Sequence, residues 1–159
     1  MDQCTRRIIG FAVHAGDVDG AILCRMFNEV ISRKHPPRYL SSDHNPLFRY
    51  HRWQANLPIL DIEEIKSVPY TPISHPFVER LIGSVRRELL DQTFFWNDRD
   101  LTKKLASYQA YYNQHRTHSS LEGQIPGEIS DNTPSKIINL KNYCWKSHCR
   151  GLFQLPLAA

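Results

Sequence analysis

Two kinds of apolar spacing alternate along this chain, and that alternation restricts the fold more than any other feature. Arg7-Ile8-Ile9-Gly10-Phe11-Ala12-Val13-His14-Ala15 is an almost unbroken apolar and β-branched run, the pattern of a buried strand. After a turn at Asp17 to Gly20, Ile22, Leu23, Met26, Phe27, Val30 and Ile31 recur at helical spacing and stop before His35-Pro36-Pro37. The same reading predicts a short strand over 38–42, a helix from Leu47 to Asn56 and a strand from Ile62 to Val68. A proline-spaced loop, Pro69-Tyr70-Thr71-Pro72-Ile73-Ser74-His75-Pro76, closes that strand and leads into a helix over about 77–90. Asn97 or Asp98 caps a further helix whose stripe is Leu101, Leu105, Tyr108 and Tyr112. Strands that alternate with helices imply an α/β architecture. Past Thr117 the regularity fades, and residues 131–159 read as a tail with one short strand around Gly151 to Leu155.

Length and charge narrow the function classes. The chain has 159 residues, enough for one ordinary domain, and 20 Lys+Arg against 16 Asp+Glu give a net charge of +4. That excess permits nucleic-acid binding without requiring it. No apolar stretch approaches the roughly 20 residues that cross a bilayer, and Met1-Asp2-Gln3-Cys4-Thr5-Arg6-Arg7 lacks the apolar run of a secretory signal. The expectation is a cytoplasmic protein with no membrane partner. Four scattered cysteines do not make a disulfide framework; Cys4 and Cys24 read as small core residues. Cys144, His148 and Cys149 raise a zinc site, but no second ligand pair stands nearby.

Two acids stand out. Asp43 follows a predicted strand among Ser41, Ser42, His44 and Asn45, and open α/β sheets place their sites at such strand ends. Asp-x-Asn-Pro is equally good turn chemistry, so a turn or cap is the competing role. Glu79 lies on the predicted 77–90 helix at the border of the stripe Val78, Leu81, Ile82, Val85 and Leu89. It shares a line with Gly83 and Arg86, while Arg80, Ser84 and Arg87 point further out. A carboxylate there can look into a cleft, or it can pair with Arg86 or Arg80 on the surface.

Thirty-five residues lie between Asp43 and Glu79. With that interval, the chain resembles the integrase core shared by retroviral integrases and bacterial insertion-sequence transposases. Leu40-Ser41-Ser42-Asp43 resembles the strand carrying the family's second catalytic Asp. Pro69-Tyr70-x-Pro72-x-Ser74-x-x-x-Val78-Glu79 resembles the segment that leads to the catalytic Glu, with Arg86 at the basic position that follows. Tyr112-Asn113-x-x-Arg116-x-His118-Ser119-Ser120-Leu121, with Pro126 beyond, is similar to the closing motif of bacterial members. Departures are His44-Asn45-Pro46, where a Gly is usual, and Ser74-His75, where many members carry Asp-Asn. The family's first catalytic acid sits in an Asp-x-Thr setting that Asp2-Gln3-Cys4 does not supply, so the chain is expected to begin after it.

The resemblance implies an RNase H-like α/β fold with an incomplete mixed sheet flanked by helices and its first strand missing. Residues 1–130 would be a partial catalytic core and 131–159 a C-terminal tail. It further implies DNA integration or transposition, with Asp43 and Glu79 as catalytic acids and metal ligands, and Mg2+ or Mn2+ in a two-metal site. Arg80, Arg86 and Arg87 would contact DNA. The partners would be DNA and a second copy of the chain. Short of one acid, the site should hold its metals weakly and the chain should be inactive. A non-catalytic DNA-binding or subunit-interaction module and an RNase H-like nuclease are the alternatives.

Overall fold

The computed structural model describes residues 1–32, 36–67, 76–118, 121, 123–126 and 143–158. They divide into two compact units, residues 9–84 and residues 1–8 with 85–159.

In the first unit, helix α1 (Gly20–Ile31) starts where the Asp19 carboxylate accepts the Ile22 N–H at 2.7 Å. Gly20 is required there, because a Cβ would lie 2.3 Å from the Tyr50 ring. Strands β1 (Tyr39–Ser42) and β2 (Glu63–Lys66) pair in parallel with Tyr39 opposite Glu63 and Ser42 opposite Lys66. A parallel pair needs a crossover, and helix α2 (His51–Ile59) supplies it. Ile31, Trp53, Leu57 and Ile62 form the core, with Phe27, Leu40, Phe48 and Tyr50 packed against them.

The single helix expected over 47–56 is two pieces. Pro46–Arg49 is a 3-10 turn with Asn45 as its cap, Tyr50 is extended, and α2 begins at His51. It then runs past Asn56, with Pro58 inside its last turn. The strand expected over 7–15 is also absent: those residues join no ladder. A strand exists only with a partner edge, and the backbone of Ile8 is bonded instead to side chains. Asn113 Oδ1 accepts its N–H at 2.8 Å, while Asn113 Nδ2 and Gln109 Nε2 donate to its carbonyl at 3.0 and 2.9 Å. Cys4, expected inside, is exposed on the turn that Asp2 caps.

Helix α3 (Pro76–Val85) runs into a π turn, Arg86–Leu90, so the predicted 77–90 helix changes pitch at Arg86. An i→i+5 turn underwinds the chain, which offsets the drift of a four-residue spacing and keeps Leu89 in line with Val85. Both are buried. In the second unit, Asn97 caps helix α4 (Asp98–Gln114) by accepting the Asp100 N–H at 2.9 Å. One face of α4 buries Leu105, Tyr108, Tyr112 and Asn113. The tail holds two strands where one was expected: β3 (Tyr143–His148) and β4 (Phe153–Ala158) form an antiparallel hairpin. Tyr111 of α4 stacks on Phe153 at 4.0 Å. No helix among the described residues is long and apolar enough to cross a membrane.

Candidate functional site

The end of β1 is fixed by a partly buried polar network. Ser42 Oγ donates to Glu64 at 2.6 Å, Trp53 Nε1 at 3.1 Å and Lys66 Nζ at 2.7 Å, and Lys66 also reaches Ser42 Oγ at 3.0 Å. Burial would raise the Glu64 carboxyl, but the hydrogen bonds from Lys66, Ser42 and Trp53 outweigh it and leave the pKa below the ordinary value. His44 Nε2 meets the Ser67 carbonyl at 2.8 Å, which ties the residue after Asp43 to the end of β2. Asp43 itself is exposed. Its Oδ1 accepts the Asn45 N–H at 2.9 Å, and Asn45 Oδ1 accepts the Leu47 N–H at 3.0 Å. The turn role is therefore filled, with one carboxylate oxygen left toward solvent.

Glu79 is exposed in the first turn of α3, where the helix dipole favours a negative charge. Of the expected stripe, Leu81, Val85 and Leu89 are buried, whereas Ile82 is 62% exposed and lies outside it. Neither of the surface pairings considered for Glu79 is made: Arg86 approaches Asp91 instead, at 3.8 Å. Arg80, Arg86 and Arg87 are all exposed, the last two on the π turn. Among the described residues no hydrogen bond or ion pair joins Asp43 to Glu79, and no three His, Cys, Asp or Glu side chains form a group that could hold a metal ion. The loop Pro69 to His75 and the pair Ser119 and Ser120 lie outside the described residues.

The closing motif makes hydrogen bonds that its sequence does not announce. Arg116 donates from Nε to both oxygens of Glu88 at 3.1 Å and from Nη2 to Oε1 at 2.7 Å, and Tyr108 OH donates to Oε2 at 2.8 Å. Glu88 belongs to the π turn, so this ion pair anchors the segment that carries Arg86 and Arg87. Burial opposes the charge on Glu88, but its hydrogen bonds from Arg116 and Tyr108 prevail and hold the pKa below the ordinary value. A carboxyl whose pKa is lower folded than unfolded adds stability above the unfolded value and loses it as pH falls through the folded one. The parent chain should therefore lose its advantage over Glu88→Gln as the pH drops from about 4.5. Urea midpoints of the two proteins across the acid range measure this, and a difference independent of pH would refute it.

Residues 60–126 match the integrase core domain family. The chain is 29% identical over 126 residues to an uncharacterized 39.2 kDa protein of insertion element IS476 from Xanthomonas euvesicatoria, covering 79% of this chain and 36% of that one. It is 23% identical over 132 residues to the transposase for insertion sequence element IS904 from Lactococcus lactis, covering 81% and 52%. It thus spans between about a third and a half of these relatives. Among solved structures, the catalytic core domain of BIV integrase superposes with a TM-score of 0.60 at 22% identity, over 79% of this chain and 78% of that one. The mixed α/β fold is accordingly that of the integrase catalytic cores, the RNase H-like fold expected from the motifs.

Proposed function

Taking residues 60–126 as an integrase core domain, we propose that the chain acts on DNA in the integration or transposition of a mobile element. The observation that carries this reading is the setting of the two acids. Asp43 leaves a strand end fixed by Ser42, Glu64 and Lys66, and Glu79 opens a helix that leads to three exposed arginines. Phosphoryl transfer on DNA requires that charge be neutralised on the phosphate and that the strand be held in register. Arg86 and Arg87, on a turn anchored through Glu88, are the candidates for phosphate contacts that hold the strand, with Arg80 about two turns earlier.

The implied metal fits the donors in kind. Asp43 and Glu79 offer hard carboxylate oxygens of the type that suits Mg2+ or Mn2+. They are two, however, and no third acid joins them among the described residues, so they would hold an ion weakly. When bound, such an ion neutralises charge at the scissile phosphate. Without it, both carboxylates repel the DNA backbone.

Short duplex DNA in a fluorescence anisotropy titration tests the assignment. The chain should bind without sequence preference, and Arg86→Ala with Arg87→Ala should flatten the log–log salt dependence by about 0.9 for each phosphate no longer neutralised. Asp43→Asn and Glu79→Gln should tighten binding in the absence of divalent ions by removing repulsion. Unchanged affinity and slope in the arginine variant would refute this interface. A second reading, a non-catalytic DNA-binding module, is favoured by the lack of a three-acid group among the described residues. Members of a coupled site act as a unit, so strand joining by the 159-residue chain should stay at background. Strand joining that Asp43→Asn abolishes would exclude the non-catalytic reading.

A further inference from the structure

Two histidines from different elements meet where the β3–β4 hairpin lies on α4. His115 is the C-cap of α4 and His148 ends β3; both are half-buried, and their rings stand 4.2 Å apart at 56°. Side chains alternate along a strand, so Lys146, His148, Phe153 and Leu155 share one face of the hairpin. Phe153 on that face stacks on Tyr111, and Arg150 meets Asp100 at 3.3 Å, an ion pair too exposed to hold the hairpin by itself. Among the described residues no Asp or Glu pairs with either imidazole, and no third His, Cys, Asp or Glu joins them in a group that could hold a metal ion. The other groups around the pair keep their charge while an imidazole titrates. Burial pushes the Tyr111 and Tyr112 phenols and the Cys149 thiol up, so they stay neutral. Lys146 and Arg150 are cations, and Arg116, beside His115, is engaged by Glu88.

We propose that His115 and His148 form a pH-sensitive latch, which holds the hairpin on α4 while at least one imidazole is neutral and releases it when both are protonated. The carboxyl end of α4 favours a positive charge, so a first proton is tolerated there. A second puts two cations in ring contact beside Lys146, and no described carboxylate offsets them. Burial, then the positive charge of His148 and Lys146, hold the His115 imidazole below its ordinary value of 6.5. A group that is harder to protonate docked than free weakens docking as the pH falls through its free value. The loss is up to about tenfold per pH unit for each proton taken up. Cys149, Arg150, Gly151 and Leu152 share with Leu89, Gln92 and Thr93 the wall of a cavity of about 300 Å³. Release of the hairpin therefore uncovers the end of the π turn that carries Arg86 and Arg87.

Aromatic NMR of the full chain reads the latch directly, because the Tyr111 and Phe153 rings shift each other's signals while they stack. Between about pH 7.5 and about pH 5, a range that spans the ordinary histidine value, both sets of signals should move to those of free rings. The transition should have the steepness of two coupled protons. His115→Gln and His148→Gln each leave one position uncharged at every pH, so the stack should persist to the acid end of that range. His148→Lys fixes one charge, so release should need a single proton, move to higher pH and lose steepness. Should glutamine loosen the contact at neutral pH, His148→Phe keeps a ring there without a charge, and its stack should likewise ignore pH. Trp53 signals, from the unit formed by residues 9–84, should stay in place, which separates release from unfolding. A parent chain that keeps the stack down to about pH 5 would overturn the proposal. So would release at an unchanged midpoint in a glutamine variant. No DNA takes part, so the reading of Arg86 and Arg87 as phosphate contacts stands or falls separately.

Discussion

Trp53→Ala should cost the unit formed by residues 9–84 about 3–5 kcal/mol of unfolding free energy, the range for deleting a large buried aromatic side chain. Trp53 is 2% exposed, meets Phe27 edge-on at 5.0 Å and lies 5.3 Å from the Phe48 ring. Its loss opens a cavity between α1 and α2, and both rings are left without a packing partner on that side. It also removes one of the three donors on Glu64, the carboxylate that fixes the end of β1 ahead of Asp43. Domains are stable by only about 5–15 kcal/mol, so the variant should approach its unfolding threshold at room temperature. Trp53→Phe separates the two losses: it keeps most of the packing and should cost about 1 kcal/mol for the missing hydrogen bond, plus a smaller volume term. Urea titrations followed by circular dichroism give both numbers. An alanine variant that loses less than about 1.5 kcal/mol would mean that α1 closes onto α2 without the indole.

Elements with a strong local period were legible in the sequence. The apolar spacing of α1, the Asn97 cap of α4 and the short segments read as strands at 38–42 and 62–68 all led to elements found within a few residues of their predicted ends. Elements that depend on a distant partner were not. Residues 7–15 have a strand's composition but join no ladder among the described residues. The 143–158 hairpin mixes Lys146, Ser147, His148, Gln154 and Pro156 among its apolar residues, which hides its alternation, and its strands hold each other rather than a core sheet.

The candidate site divides in the same way. Asp43 and Glu79 are proposed from their interval and surroundings, and the Pro69–His75 segment between β2 and α3 lies outside the described residues. The network beneath Asp43 is hidden in the sequence for a physical reason. On β2 the apolar Ile65 faces out, 49% exposed, while Glu64 and Lys66 turn inward toward Ser42 and Trp53. A two-residue period read by hydrophobicity would assign those faces the other way round. Only the summed hydrogen bonds, made across 11 and 22 residues of sequence, make that orientation favourable.

Asn113→Ala should remove about 2–3 kcal/mol of stability, because it leaves a buried backbone N–H without a partner. Ile8 is 2% exposed and Asn113 8% exposed, so water does not readily replace the lost amide. The Asn113 side chain offers one acceptor and one donor to the two polar groups of Ile8, as the edge of a neighbouring strand would. The Ile8 carbonyl keeps Gln109 in the variant; its N–H keeps nothing among the described residues. Asn113→Asp isolates the donor half of this clamp. An aspartate at 113 still accepts the Ile8 N–H, but ionised it directs a second oxygen at the Ile8 carbonyl, and protonated it donates there as the amide does. Its pKa should therefore be higher in the folded chain than in the unfolded one. A carboxyl shifted in that direction contributes stability at low pH and loses it as pH rises through the unfolded value and beyond. Measured against the parent at each pH, the aspartate variant should recover toward the acid limit, opposite in sign to the loss expected for Glu88. Urea titrations at neutral and acid pH read both effects. An alanine variant within about 0.5 kcal/mol of the parent, the range of an ordinary surface substitution, would mean that Asn113 does not hold the Ile8 backbone.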